Sequence, residues 1–313
     1  MDDLNLIKRN CVEIINEDKI KDFMKKGVVY CGYECSGEIH LGHFVTILKL
    51  LDLQKAGIKV KVLLADWHTW LNQKGDWKFV NSQVKQWEKG FKSVGLKAEI
   101  VKGTSFQKKS DYFEDILKLA LNVTVKRGVR SMQQVARDVE NSKISQIIYP
   151  LMQVEDVKKL GVNFVVAGSE QRKIYMLGQD EGKEINLQEV VYLYTHLVPG
   201  LKKGGKMSSS DKGSFISIRD TKNDIIKKVN KAYCKQGDVE NNSILSIAKL
   251  IVFPKFEKIE IKRPEKYGGN LKFEDYGNLE KSFESGKLHA ADLKKSIIEY
   301  LEKLIAPIRK SWK

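Results

Sequence analysis

The stretch Tyr30 to His43, YCGYECSGEIHLGH, decides how the fold is read. Val28-Val29-Tyr30 is a short apolar run suited to a buried strand. Gly32 and Gly37 follow, residues that take backbone angles others avoid and keep side chains out of a ligand's way. His40 and His43 lie three apart and share one face of a helix. Phe44 to Leu53 continues as a nearly all-apolar helical segment, and Gly57 stops it. The first turn of such a helix has unpaired N–H groups and the positive end of the dipole, which suits phosphate. The glycine spacing approaches that of a Walker loop, but Glu38-Ile39 stand where Lys and Ser/Thr are needed. Taken alone, HLGH fits two packed or surface histidines beside a tight turn equally well.

Outward from this unit the chain alternates strand and helix. Residues 1–27 read as helix. Lys59 to Asp66 reads as a strand ending in an acid, with Trp67-His68-Thr69-Trp70 past its carboxyl end, where open α/β sheets keep their ligands. Trp77 to Val94 reads as helix, Ala98 to Val101 as strand, and Asp111 to Glu140 as one long helix carrying Lys126, Arg127, Arg130 and Arg137. Val162 to Ala167 and Glu189 to Val198 complete the strands. This order predicts an α/β, Rossmann-like parallel sheet. In Tyr149 to Leu160, Tyr149, Gln153 and Asp156 stand at i, i+4 and i+7 on one helical face, and Pro150 is expected to open the helix. A face carrying phenol, amide and carboxylate either binds a small polar molecule or is a solvated surface.

The run Pro199 to Ser210, PGLKKGGKMSSS, combines glycines, lysines and hydroxyls. It is a second near-miss Walker loop, since Met207 occupies the position of the hydroxyl that would hold magnesium, so a P-loop NTPase is a rival reading. From Asp220 onward helices follow, the last with Leu293, Ile297, Ile298, Leu301, Leu304 and Ile305 on one face and Pro307 as its end. The expected division is a catalytic domain over 1–217, with a helical insertion at about 108–140, and an all-α domain over 218–313.

With 313 residues there is ample chain for a core. A net charge of +15 points to a polyanionic partner, nucleic acid most simply, although solvated lysine faces account for part of it. The four cysteines form no CxxC pair, which fits reduced thiols, and Cys31, Cys35, His40 and His43 crowd one turn too closely for a zinc site. No secretory apolar core and no membrane-spanning run is present, so the expected location is the cytoplasm.

HLGH after a first strand, together with KMSSS on a late loop, resembles the signature pair of the class I aminoacyl-tRNA synthetases. With LLADWHTWLNQKG, YPLMQVEDV, SEQRK and IKRPEKYGG, nearly the whole chain is similar to the tyrosyl type of archaea and eukaryotes. The resemblance implies activation of tyrosine by ATP with magnesium, then transfer to tRNA(Tyr), with no permanently bound cofactor or metal. It implies that His40, His43, Lys206, Ser208 and Ser209 act on the phosphates, and that Gly32 and Gly42 lie against ATP. Tyr30 and Asp156 match positions that meet the substrate phenol, and Tyr149, Gln153 and Gln171 those that hold its amino end. Arg130 and Arg172 match acceptor-end positions, and Tyr267, His289 and Asp292 the anticodon region. A homodimer through residues 110–140 is also implied. The sequence departs from the family at Cys35, where proline is usual, at Ala290 and Ala291, and at Tyr194-Thr195-His196. A tryptophanyl enzyme of the same fold and a catalytically inactive RNA-binding paralogue are the other readings.

Overall fold

The computed structural model describes residues 2–133, 141, 143–209, 211–240 and 242–312. Arg137, Ser210 and the end of the 108–140 segment lie outside the described residues. The chain divides into two compact units, one of residues 1–36, 49–88 and 96–196, the other of residues 37–48, 89–95 and 197–313.

The first unit is built on a six-stranded sheet. Its strands are β1 (Cys11–Ile15), β2 (Val28–Tyr33), β3 (Lys59–Leu64), β4 (Ala98–Lys102), β5 (Phe164–Gly168) and β6 (Val191–Thr195), in the order β1-β6-β5-β2-β3-β4. β2 to β6 run parallel, as the alternation predicts. β1 corrects the expectation of helix over residues 1–27: it pairs antiparallel with β6. Its Val-Glu-Ile-Ile content favours strand, and Asn10 and Asn16, both in the left-handed region (φ 58° and 57°), break the helix on either side. From β2 the chain passes to β3 and β4 on one side and to β5 and β6 on the other, so β2 and β5 meet at a topological switch point. Ligands of open α/β sheets bind at the carboxyl ends there.

The helix before β5 spans Ile144–Lys159. It begins well before Pro150, which is therefore an interior proline and not the helix opener expected; the helix forgoes the bond its missing N–H would make. Tyr149 to Val157 are buried throughout, so the Tyr149–Gln153–Asp156 face is not a solvated one. The expected long helix over 111–140 is two, Ser110–Asn122 and Val125–Met132. Thr124 starts the second by accepting a hydrogen bond from the Arg127 N–H (3.3 Å).

The second unit has helices Lys222–Lys231, Ser243–Ile247, Phe253–Phe256, Tyr276–Glu284 and Ala290–Ser311. It is not all-α. Ile259–Ile261 (β7) and Leu271–Phe273 (β8) pair antiparallel, joined through Pro264 and the positive-φ pair Gly268-Gly269. The last helix runs past Pro307, because the apolar face continues to the buried Ile308.

Candidate active site

The first unit gathers a polar cluster beside the switch point. Asp66, just past β3, accepts hydrogen bonds from the Trp67 and Thr104 N–H groups (both 2.8 Å) and from the Thr104 hydroxyl (2.6 Å). This ties the helix Asp66–Leu71 to the turn after β4 and delivers His68 and Gln107 to one place. Gly103 permits the approach: a Cβ there would lie 2.3 Å from Gln107 Oε1.

Asp156 is buried at the centre. Its Oδ1 accepts from Gln107 Nε2 (2.7 Å) and from the Tyr112 hydroxyl (2.8 Å). Its Oδ2 lies 3.7 Å from His68 Nε2. Burial raises the Asp156 pKa to about 7, against the opposing pull of the Gln107 and Tyr112 hydrogen bonds. Burial pushes His68 down to about 3, so its ring is neutral. His68 Nδ1 faces Gln107 Nε2 at 3.1 Å and accepts from it, which places the ring proton on Nε2. His68 Nε2 and Gln107 Oε1 are buried without a hydrogen-bond partner, the mark of a site where a ligand's polar group belongs.

Tyr30 on β2 is fully buried, with its hydroxyl 2.8 Å from that of Tyr175 on the helix Arg172–Glu181. Gln153 Nε2 donates to Gln171 Oε1 (3.2 Å), and Gln171 Nε2 to Glu170 Oε1 (3.4 Å). Tyr149 packs edge-on against His68, with centroids 4.6 Å apart, and the Glu34 carboxylate lies close enough to its hydroxyl to help hold the proton there. Glu34 in turn accepts from Asn72 Nδ2 (2.7 Å). Burial holds the Tyr30 and Tyr149 hydroxyls protonated, well above the ordinary phenol range. The five expected tyrosine-pocket residues thus lie in one unit, in neighbouring polar clusters. Sequence reasoning placed His68 at a strand's carboxyl end without a role, and gave none to Glu34, Gln107, Tyr112, Glu170 or Tyr175. For Glu170 the local signal was its place in SEQRK, directly after the carboxyl end of β5.

The second unit holds the signature residues. His40 precedes the helix Leu41–Lys55 and His43 lies in its first turn, with ring centroids 3.8 Å apart. His40 Nδ1 accepts from the Gly42 N–H (3.1 Å), and His43 Nδ1 from the His40 N–H (3.3 Å). Each ring therefore carries its proton on Nε2 as a donor. Burial lowers the His40 pKa to about 2, helped by His43, and that of His43 to about 4. Residues 198–207 form a narrow hairpin in which Pro199 pairs with Lys206 and the Gly200 N–H donates to the Gly205 carbonyl (3.0 Å). Lys206 is exposed; Ser208 and Ser209 are half-buried. A Cβ on Gly37 would lie 2.6 Å from Ser209 Cβ, so the first loop and the KMS loop touch. Gly42 lies against the His40 ring and Met207, while Gly32, in β2 of the first unit, is exposed.

The other predicted residues sit at surfaces. Arg130 is exposed near the end of its helix, and Arg172 pairs with Glu13 at 2.6 Å. Tyr267 is 61% exposed, with Lys266 Nζ 5.0 Å over its ring. His289 caps the last helix, its Nδ1 accepting from the Ala291 N–H (3.2 Å), and Asp292 follows in the first turn. Cys35 is buried, and its N–H donates to the Thr69 hydroxyl (3.0 Å), a bond that the usual proline could not make.

A family model for the tRNA synthetases class I (W and Y) matches residues 24–306. The tyrosine–tRNA ligase of Methanocaldococcus jannaschii is 45% identical over 99% of each chain. The crystal structure of tyrosyl-tRNA synthetase from Archaeoglobus fulgidus, complexed with L-tyrosine, superposes with a TM-score of 0.95 at 42% identity, covering 99% of each chain. That from Aeropyrum pernix gives 0.89 at 30% identity, covering 99% of this chain and 93% of the other. With a buried polar cluster at the switch point, a paired-histidine first turn and full-length kinship of this degree, the chain belongs to the class I tRNA synthetases for tryptophan and tyrosine, as an enzyme of the tyrosine–tRNA ligase branch.

Proposed function

We propose that the chain couples tyrosine to ATP, taken as its magnesium complex, and passes the tyrosyl group to the terminal adenosine of tRNA(Tyr). The tyrosine carboxylate attacks the α-phosphorus, pyrophosphate leaves, and a ribose hydroxyl of the tRNA then displaces AMP. The observation that carries this reading is Asp156: buried, with one carboxylate oxygen already paired to Gln107 and Tyr112 and the other beside the partnerless His68 Nε2. A phenol both donates and accepts, so it fits between Asp156 and the Tyr30 hydroxyl. Phenylalanine offers neither a donor to Asp156 Oδ2 nor an acceptor to Tyr30. An indole N–H only donates, so tryptophan strands Tyr30. Tyr149, Gln153 and Gln171 hold the amino end, with Glu34 and Glu170 supplying the negative charge an ammonium needs.

His40 and His43 present Nε2–H donors to the phosphates without carrying charge themselves. Lys206, with Ser208 and Ser209, neutralises charge on the departing pyrophosphate. Such contacts accelerate the reaction only where they strengthen in the transition state. Gly32 and Gly42 leave room for ATP. Residues 218–313 serve the anticodon, with Tyr267 as a stacking surface and His289 and Asp292 beside the base; Arg130 and Arg172 serve the acceptor end. Phe113, Leu117 and Leu121 recur along one exposed face of the helix Ser110–Asn122, and Val125 and Ile144 are exposed too. That apolar stripe supports a homodimer through this region. No helix among the described residues is long and apolar enough to cross a membrane, and the proposed location is the cytoplasm.

The test is ATP–pyrophosphate exchange with tyrosine, tryptophan and phenylalanine in turn. Exchange strongly favouring tyrosine is expected. Exchange with tryptophan alone makes the chain a tryptophanyl enzyme, and none with any amino acid makes it an inactive paralogue.

A further inference from the structure

We infer that Tyr175 is a positioning residue that sets the hydrogen-bond direction of Tyr30, and through it the discrimination between tyrosine and phenylalanine; this rests on the reading of the pocket as a tyrosine site. Tyr30 has one hydroxyl proton and an oxygen that accepts. If the substrate phenol gives its proton to Asp156, Tyr30 must donate to the phenol oxygen. Nothing in the Tyr30 side chain itself enforces that direction.

The surroundings do. The Tyr30 and Tyr175 hydroxyls are 2.8 Å apart, and the two residues are buried at 1% and 2% exposure, so both are shielded from bulk water. The Tyr30 hydroxyl and the Gln153 side chain both act on the Tyr175 hydroxyl as donors do. Its Nε2 also donates to Gln171 Oε1, and Gln171 Nε2 donates onward to the Glu170 carboxylate. An amide nitrogen carries two protons. Gln153 gives one to Gln171, and the other is available to the Tyr175 oxygen. Either hydroxyl can donate in the Tyr30–Tyr175 pair; once the phenol accepts from Tyr30, Tyr175 turns its own proton to the Tyr30 oxygen.

With substrate bound the chain of donors runs one way: Gln153 to Tyr175, Tyr175 to Tyr30, Tyr30 to the phenol, and the phenol to Asp156. At the receiving end Asp156 Oδ1 is already occupied by Gln107 and Tyr112, which leaves Oδ2 for the substrate. Residues that hold the amino end of the substrate are thereby coupled to those that read its phenol. Buried networks of this kind polarise each bond along their length.

The experiment measures kcat/KM for tyrosine and for phenylalanine in ATP–pyrophosphate exchange, for the unmodified enzyme, Tyr175→Phe, Tyr30→Phe and the double variant. Tyr175→Phe keeps the ring and removes only the hydroxyl. It is expected to lower kcat/KM for tyrosine about fivefold to tenfold, the effect of one buried hydrogen bond, and to leave that for phenylalanine and the KM for ATP unchanged. In the Tyr30→Phe background it should cause no further loss, since Tyr175 acts only through Tyr30. Tyr192→Phe, whose ring lies 5.5 Å from that of Tyr175, is the packing control and should leave the tyrosine-to-phenylalanine ratio unchanged. Equal losses for both amino acids, or additive losses in the double variant, overturn the inference. An unmodified enzyme without tyrosine exchange overturns the pocket reading instead, whereas normal exchange with an unaltered ratio in Tyr175→Phe overturns this inference alone.

Discussion

The proposed tyrosine pocket of the first unit and the signature loops of the second are built on opposite plans. In the pocket, Tyr30, Tyr149, Gln153 and Asp156 are buried and paired within the protein, and their partners are themselves held by further hydrogen bonds. On the KMS hairpin, Lys206 is exposed and the two residues before it, Gly204 and Gly205, take positive φ (82° and 78°). The difference follows from the task. A site that separates a phenol from a phenyl ring must fix each donor and acceptor, because its selectivity comes from leaving them unpaired with the wrong ligand. A group that neutralises charge developing only in the transition state needs reach more than rigidity. Pocket variants should therefore change selectivity and stability together, and loop variants the rate alone.

The largest expected effect sharpens that contrast. Lys206→Ala should lower kcat for exchange on the order of 100-fold to 1000-fold, with KM for tyrosine and the melting temperature nearly unmoved. A melting temperature several degrees lower would place Lys206 in the architecture and blur the distinction. Asp156→Ala comes next. It should raise KM for tyrosine roughly 10-fold to 100-fold and leave KM for ATP unchanged, because Gln107 and Tyr112 lose their acceptor as well. Equal losses for both ligands would make Asp156 structural.

The same comparison extends to pH. In its proposed role Asp156, raised to about 7, accepts the phenol hydrogen bond only when ionised, so kcat/KM for tyrosine should fall as pH falls through about 7. Asp156→Asn should flatten that inflection. His40 and His43, lowered to about 2 and about 4, stay neutral across this range and should add no inflection near the ordinary histidine value of about 6.5. A histidine-like inflection that survives Asp156→Asn would show that the signature pair titrates during turnover.

How much of this was legible follows the same division. The signature loops could be read because their chemistry is local: His40 with His43, and Lys206 with Ser208 and Ser209, each stand within a few residues in sequence. The face of Tyr149, Gln153 and Asp156 was legible for the same reason, a helix period, although whether it was buried or solvated was not. Burial came from the helix Ser110–Asn122, the turn at Gly103 and the helix Asp66–Leu71, which meet only in three dimensions. Gln107, Tyr112 and Tyr175 left no trace in local pattern, since each acts through partners far away in sequence. The strand Cys11–Ile15 was hidden because its apolar residues fit a helix period as well, and the asparagines that end it are weak signals alone. The β7–β8 ribbon was lost because three-residue strands lie below the length at which alternation can be seen.

Glu155 tests the pocket's rigidity from behind. Both its carboxylate oxygens are buried without a hydrogen-bond partner, and it faces Asp115, Lys158 and Lys159. Burial, then Asp115, raises its pKa to about 8 against the pull of the lysines. The sign is set by that direction: the folded state holds a proton the unfolded chain releases above about 4.5, so the contribution to stability is lost as pH rises from there to about 8. A tenfold difference in proton affinity between the two states is worth roughly 1.4 kcal/mol, and after solvent screening a realised effect of about 1–3 kcal/mol is expected. Glu155→Gln should therefore match the unmodified protein near pH 4.5 and melt higher than it near pH 8. Parallel curves at both pH values would show that Glu155 does not titrate differently on folding.

The smallest effect concerns a surface that the pocket logic does not govern. Arg172 begins the helix that carries Tyr175, yet its side chain points outward to Glu13 of β1, at 2.6 Å, with 44% of the arginine and 35% of the glutamate side chain exposed. An exposed pair of this kind adds little to stability, because both ions keep much of their water and salt screens what remains. Glu13→Gln should leave the melting temperature within about 2 °C. It also frees the guanidinium for phosphate, so tRNA affinity should rise about twofold at low salt, and the gain should shrink as salt is added. A gain of the same size at every salt concentration would argue against a phosphate contact. No gain at any salt would tie Arg172 to holding β1 against the sheet, and the outer rim of the first unit would then belong to the same fixed architecture as the pocket it surrounds.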